Sequence, residues 1–345
     1  MTMMRATRFY GPQDLRLEAV QIPDIGPGEM LIKVQTALTC GTDFKAYRQG
    51  HPVMLGENYP TAFGHECSGV VEKVGAGITF FKPGMRVVSA NSAPCGTCRF
   101  CRKNRPNLCE NLEFLNGAFA EFIKVPASIV SKNTYLIPQN LSFKHAAITE
   151  PFACAVHAYH RLGIEPEDTV VIVGCGMMGL LFTSVAIHHG ANIIAVGRNE
   201  EKLLIAKKMG AKTIVNVKNI ANPVQAVLDL TDGYGADFVI EAVGNTQAWE
   251  DAFQMTAKGG TVCFFGGCKK GSTFALNTYR THYEEVTAMG IFHHTPTYFQ
   301  RALQYLEQGV LSPDLLITAE ISLDQIPQLF KNVNESSPFK TAVLP

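Results

Sequence analysis

The sequence predicts a two-domain α/β protein in which a compact, barrel-like β domain is joined to a doubly wound parallel sheet. Three observations predict it. A chain of 345 residues is long enough for two hydrophobic cores. Up to about residue 125, short strand-like runs alternate with Gly/Pro turns, which argues for barrel-like closure. From Asp168 onward strand and helix patterns alternate regularly, which argues for a parallel sheet with helices on both faces.

In order along the chain, residues 15–20 and 30–37 read as strands separated by the Pro27-Gly28 turn, and 66–74 as another ending at Gly75-Ala-Gly77. Residues 86–89 follow the Pro83-Gly84 turn, and 117–125 form the last strand of this run. The second pattern places strands at 169–173, 192–196, 213–215, 238–241 and 261–265. Helices are expected between them at 178–189, 200–209, 223–230 and 248–256, and a final one at 296–308. Residues 169–197 contain no Asp, Glu, Lys or Arg, long enough for a membrane span. Gly174, Gly176, Gly179 and Gly190 break that run into strand, turn, helix and strand, so a buried α/β segment is expected and no membrane partner.

Apolar residues make up 46% and charged residues 17%, and the 30 acidic and 30 basic side chains cancel. A balanced charge offers nothing to a polyanion, which excludes a nucleic-acid reader. The ten cysteines do not form a secreted disulfide framework. Met1-Thr-Met-Met-Arg5 leads directly into strand-like sequence without a signal-peptide core, so a cytoplasmic location is expected. Four of the cysteines, Cys95, Cys98, Cys101 and Cys109, follow the spacing C-x2-C-x2-C-x7-C. Four thiolates close a tetrahedral shell, and Zn²⁺ is the usual occupant of such a site. A closed site has no open position for substrate, so this zinc is expected to be structural, organising a segment with little apolar material of its own.

Val173-Gly174-Cys-Gly176-Met177-Met178-Gly179 is a G-x-G-x-x-G motif directly after a strand and at the mouth of a helix, the context of a dinucleotide-binding Rossmann fold. Gly174 allows the tight turn, Gly176 the approach of a pyrophosphate, and Gly179 close packing of helix on strand. The helix N-terminus offers N–H groups and partial positive charge to the phosphates. The next strand ends at Gly197-Arg198, where an NAD site usually carries Asp or Glu for the ribose 2′-OH. Absence of that carboxylate, with a guanidinium beside it, favours NADP(H) over NAD(H). The alternative leaves Arg198 in solvent, with Glu200 or Glu201 on the ribose.

Upstream stand Cys40-Gly-Thr42-Asp43 and Gly64-His65-Glu66, and at the domain junction Glu150-Pro151. With the cysteine cluster and the glycine motif, these make five motifs in one order. The whole chain resembles the zinc-containing medium-chain alcohol dehydrogenases. Glu66 and Glu150-Pro151 resemble the sorbitol (polyol) and threonine dehydrogenase branches; liver-type alcohol dehydrogenases place a cysteine ligand near Glu150. The resemblance implies a GroES-like catalytic domain of residues 1–153 and 293–345, a zinc lobe at about 90–113, and a Rossmann domain of 154–292. It implies a catalytic zinc on Cys40 and His65, with Glu66 and Glu150 as direct or water-bridged ligands, hence two zincs per chain. Three protein ligands and an open position make a Lewis acid that acidifies an alcohol, whose hydride passes to a nicotinamide. Asp43 is expected to orient His65, and Thr42 to take the alcohol proton. Met177, Met178, Val243, Phe265 and Gly266 fall at coenzyme-contacting positions, and the active site is expected in the cleft between the domains.

Where many relatives carry a proton-passing histidine three residues after the Thr/Ser, this chain has Lys45, with Tyr47 and His51 nearby. For the substrate, His293 and His294 are placed to bond hydroxyls of a polyol or, with Arg280 and His282, to face a phosphate; a solvent-exposed helix start is the alternative. The expected reaction interconverts a secondary alcohol of a polyol, cyclitol or sugar-like compound with its ketone. Two other functions are open: an L-threonine 3-dehydrogenase-like enzyme, whose relatives place a tyrosine at the Tyr47 position, and a non-catalytic NADP(H)-binding protein. A homodimer or homotetramer is expected.

Overall fold

The computed structural model describes residues 2–51, 55–56, 58–332 and 339–345. They form two units, Met1–Ala153 with His294–Pro345, and Cys154–His293. In the first unit the strand Met30–Leu38 is the organising element. It pairs antiparallel with Glu66–Val74, Phe122–Val125 and Lys340–Leu344, so it is enclosed and mostly buried along its length. The larger sheet runs Thr134–Leu136, Arg86–Ser89, Glu66–Val74, Met30–Leu38, Lys340–Leu344, Ile317–Ser322. A second sheet is built on a hairpin of Met3–Gly11 and Asp14–Gln21. Between them packs an aromatic core in which Phe63 meets Phe9 at 5.4 Å and Phe330 at 5.4 Å. The sheet fixes one juxtaposition used below. In antiparallel pairs Leu38 faces Glu66, and Ala342 faces Leu38, so the end of one strand and the beginnings of two others lie together.

One local expectation is corrected here, and one element is added. The strand at 117–125 is only Phe122–Val125, because the N–H groups of Gly117 and Ala118 both turn to the Gly64 carbonyl instead of a ladder. The segment after Cys40, to which the sequence pattern assigns no element, is the helix Gly41–Gln49. A cysteine caps it, so the usual Ser/Thr/Asp/Asn start signal was missing.

The second unit is a six-stranded parallel sheet in the order Thr213–Asn216, Asn192–Gly197, Thr169–Val173, Ala236–Glu241, Thr256–Phe264, Thr287–Gly290. Val170, Val171 and Ile172 are fully buried, as expected for a central parallel strand, each contributing roughly 1.5–3 kcal/mol. The uncharged run 169–197 is strand, turn, the helix Met177–His188, and strand. Among the described residues no helix is long and apolar enough to cross a membrane.

Candidate active site

Cys40 follows the central strand and caps the helix Gly41–Gln49, its Sγ accepting the N–H of Thr42 at 3.4 Å. Glu66 opens the neighbouring strand and His65 directly precedes it. One ligand atom from each of Cys40, His65 and Glu66 lies within 4.8 Å of the others. Asp43 joins helix to ligand: Oδ2 accepts the Cys40 N–H at 3.0 Å and Oδ1 takes His65 Nδ1 at 2.8 Å. Both side chains are buried. Burial opposes charge on His65, but the Asp43 carboxylate, by charge and hydrogen bond, lifts its pKa well above the ordinary value. With Nδ1–H donated to Asp43, Nε2 is left as the ligating nitrogen.

Glu66 is 1% exposed and its two oxygens differ. Oε2 forms an ion pair with Lys340, which is itself 1% exposed and also donates to the Thr39 carbonyl at 2.9 Å. Oε1 has no hydrogen-bond partner among the described residues. A buried carboxylate oxygen without a donor is costly, and a cation beside Cys40 and His65 would satisfy it. Burial works against the Lys340 ammonium, but Glu66 more than offsets it and keeps Lys340 charged. Sulfur, imidazole and carboxylate form the donor set of a zinc site, so the residues fit the metal.

Glu150, in the first turn of the helix Thr149–Leu162, lies outside the Cys40–His65–Glu66 set. Asn91 Nδ2 donates to Glu150 Oε1 at 3.0 Å, and His294 Nε2 meets Asn91 Oδ1 at 3.0 Å. Burial pushes the Glu150 carboxyl up to about 7, partly countered by His65. His294, expected at the substrate or in solvent, is therefore 2% exposed and engaged with Asn91. Tyr47 is likewise removed from relay and substrate, since its hydroxyl donates to the Gln13 carbonyl at 3.1 Å. Arg280 does not face a phosphate. Its guanidinium bonds Glu284 and the carbonyls of Phe253, Gln254 and Thr256. Lys45 is exposed and Thr42 is half-buried.

The four sulfur atoms of Cys95, Cys98, Cys101 and Cys109 lie within 4.8 Å of one another. Backbone N–H groups point at them, Thr97 at 3.4 Å and Cys98 at 3.3 Å from Cys95 Sγ, and Cys95 at 3.2 Å from Cys109 Sγ. The Thr97 N–H, followed by that of Cys98, draws the Cys95 thiol down to about 5, while burial pushes Cys101 up to about 12. Lys132 Nζ anchors the lobe through the carbonyls of Pro94 and Cys95.

In the second unit Gly174 adopts φ +102, and a Cβ on Gly179 would stand 1.9 Å from the Gly174 carbonyl oxygen. Any side chain there would push helix from strand. A Cβ on Gly176 would meet nothing within 4 Å, and this residue caps the helix Met177–His188 without a side-chain acceptor. That bare helix start is a cradle of pyrophosphate type. Gly197 ends its strand and Arg198 beside it is exposed. Val243 lies on the loop after Ala236–Glu241, and Phe265 and Gly266 lie on the loop after Thr256–Phe264.

Residues 26–138 match the family model "Alcohol dehydrogenase GroES-like domain", and residues 178–308 match "Zinc-binding dehydrogenase". The sorbitol dehydrogenase of Bacillus subtilis is 32% identical over 93% of this chain and 91% of its own. An L-threonine 3-dehydrogenase of Bacillus licheniformis is 37% identical over 73% of this chain and 72% of its own. Among solved structures, a protein of Sinorhizobium meliloti assigned as a zinc-binding dehydrogenase and bound to NADP superposes with TM-score 0.90 at 30% identity, covering 100% of both chains. An Escherichia coli alcohol dehydrogenase complexed with NADH superposes with TM-score 0.89 at 25% identity, again over 100% of both.

Proposed function

The chain belongs to the zinc-binding medium-chain dehydrogenase family, a zinc-dependent, NAD(P)-linked oxidoreductase acting on a CH–OH group of a small alcohol or polyol, and on that premise we propose that it interconverts a secondary alcohol of a polyol, cyclitol or sugar-like compound with the ketone. The observation that carries this is the buried Cys40–His65–Glu66 set with Glu66 Oε1 unmatched. When bound there, zinc supplies a Lewis acid that makes an alcohol easier to deprotonate, and the nicotinamide supplies the hydride acceptor.

The chain's own residues do the rest. Asp43 holds His65 in one tautomer and, through the Cys40 N–H, holds the helix start that carries Thr42. Thr42 accepts the alcohol proton at its hydroxyl and passes it outward through water, since Tyr47 is spent on Gln13. Asn91 orients Glu150 through its hydrogen bond to Oε1, and His294 holds Asn91 in turn. The Cys95–Cys98–Cys101–Cys109 site takes a second zinc with a structural role. Residues 1–153 and 293–345 make the catalytic domain, and 154–292 the coenzyme domain. Gly174, Gly176, Met177, Met178 and Gly179 hold the pyrophosphate; Gly197 and Arg198 select NADP(H) over NAD(H). The strand Thr287–Gly290, paired on one side only among the described residues, supports a homo-oligomer, and ten cysteines with no disulfide between them suit the cytoplasm.

The test is nicotinamide absorbance with NADP⁺ and NAD⁺ against polyols, cyclitols, sugar phosphates and L-threonine, repeated after chelation and zinc restoration. NADPH formation from a polyol, lost with chelator and regained with zinc, is expected. Turnover of L-threonine alone would replace the polyol reading with the threonine dehydrogenase one, which the 37% identical relative favours. Silence from protein carrying two zincs per chain would reject both substrates.

A further inference from the structure

In the second unit the loops after Ala236–Glu241 and Thr256–Phe264 touch backbone to backbone, and one buried carboxylate joins them. Glu241 is fully buried. Its Oε1 accepts the N–H groups of Val243 at 2.6 Å and Gly244 at 2.8 Å. Its main-chain oxygen accepts those of Phe265 at 3.0 Å and Gly266 at 2.9 Å. No side chain fits between the loops: a Cβ on Gly266 would lie 2.4 Å from Gly244 N and 2.7 Å from Glu241 Oε2. Trp249, the sole tryptophan, closes the arrangement. Its Nε1–H donates to the Gly266 carbonyl at 3.0 Å while the indole stacks on Phe264 at 4.1 Å and 8°.

The first of these loops also reaches the glycine motif. Ala242 N–H donates to the Val173 carbonyl at 2.8 Å, and a Cβ on Gly174 would lie 2.7 Å from Val243 Cγ2. Both peptide faces of Gly266 are therefore committed, its N–H to Glu241 and its carbonyl to Trp249. Ligands of doubly wound sheets bind at the carboxyl ends of the strands, where these loops stand. Burying a carboxylate is unfavourable, and Glu241 Oε2 has no hydrogen-bond partner among the described residues. A device retained against that cost is better explained by the exact placement of the loops than by their attachment alone.

We propose that Glu241 and Trp249 form a clasp that sets the 242–244 and 265–267 loops in the arrangement that receives the nicotinamide coenzyme, so that both are positioning residues for its binding. This rests on the coenzyme-site reading given above. A purely structural role would move stability and leave coenzyme affinity alone.

The test is calorimetric titration of the full-length, zinc-loaded protein with NADP⁺ and with NAD⁺, together with zinc content, melting temperature and tryptophan emission. W249F keeps a ring against Phe264 but loses the donor to Gly266, and should weaken coenzyme binding about 2–10-fold, the worth of one hydrogen bond. E241A should weaken it at least about tenfold, with E241Q between, because an amide oxygen still accepts the Val243 and Gly244 N–H groups. Zinc content should stay unchanged, and saturating NADP⁺ should shift wild-type Trp249 emission. Wild-type affinity in W249F and E241Q overturns the clasp, whether or not E241A folds. Failure of the wild-type protein to bind either nucleotide overturns the coenzyme-site reading and the clasp with it.

Discussion

Lys340 and Glu66, 274 residues apart, form an ion pair with both side chains at most 1% exposed. Leu38 stands between them in register, facing Glu66 on one side and Ala342 on the other. The pair divides the Glu66 carboxylate: Oε2 belongs to Lys340, and Oε1 is left without a hydrogen-bond partner among the described residues. Lys340 thus supplies positive charge, beside that of His65, to a site that holds the carboxyl groups of Asp43, Glu66 and Glu150. Breaking a buried pair by removing one partner typically costs about 3–5 kcal/mol. In K340M, zinc can take over part of that compensation, whereas in the zinc-free protein it falls to His65 alone. We expect K340M to lower the melting temperature far more after chelation than with zinc bound. Equal losses in both forms would mean that Lys340 packs the sheet and nothing more.

Asp43 uses both carboxylate oxygens, one on Cys40 N–H and one on His65 Nδ1–H. Asparagine can accept at only one of these points. It must either oppose an N–H at the helix cap or force the wrong tautomer on His65. D43N should weaken the zinc at Cys40 and His65 by about 10–100-fold, the usual effect of losing a ligand's orienting partner. Zinc release to a chromophoric chelator should then split into an accelerated phase and an unchanged one from the cysteine lobe. A profile identical to wild type would remove Asp43 from the metal's support.

The cysteine lobe has no apolar interior to replace its metal: the short helix Arg99–Arg102 buries none of its residues. C101S should therefore reduce zinc by one per chain, leave the other zinc in place, and open residues 95–109 to limited proteolysis. If the lobe resists protease as well without its metal as with it, Lys132 and the local hydrogen bonds suffice to fold it.

What could be read in advance was local in sequence. The cysteine spacing, the glycine motif and the strand 169–173 depend on residues within one or two turns of each other, and pattern alone reveals them. Lys340, Asn91 and Glu241 were not legible as site residues. Lys340 meets Glu66 only through the register of three strands, and its one outward sign was a lone lysine at the start of the C-terminal strand. Asn91 gains meaning from Glu150 and His294, which are 59 and 203 residues away. Tyr47 and Arg280 were legible as polar groups near suggestive motifs, but not as groups already committed to backbone carbonyls. Sequence shows which polar atoms exist, whereas packing decides which remain available for chemistry.

Coenzyme choice can be tested at Gly197 and Arg198 separately. A Cβ on Gly197 would sit 3.4 Å from Cys175 Sγ and from Leu203 Cδ2, ordinary contact that should tolerate a side chain. G197D would set a carboxylate at the strand end, repelling a 2′-phosphate and accepting from a ribose 2′-OH. R198A would remove a charged donor to the phosphate, an interaction of about 1.5–3 kcal/mol, or roughly 10–100-fold. We expect R198A to lower kcat/KM for NADP⁺ by that factor with little change for NAD⁺, and G197D to reverse the preference. The measurement is the ratio of kcat/KM for the two coenzymes with one fixed alcohol. A ratio unmoved by R198A would return Arg198 to solvent. If G197D then still favours NAD⁺, the strand end reads the ribose through its carboxylate alone, and the preference of the natural chain rests on the missing acid rather than on the added guanidinium.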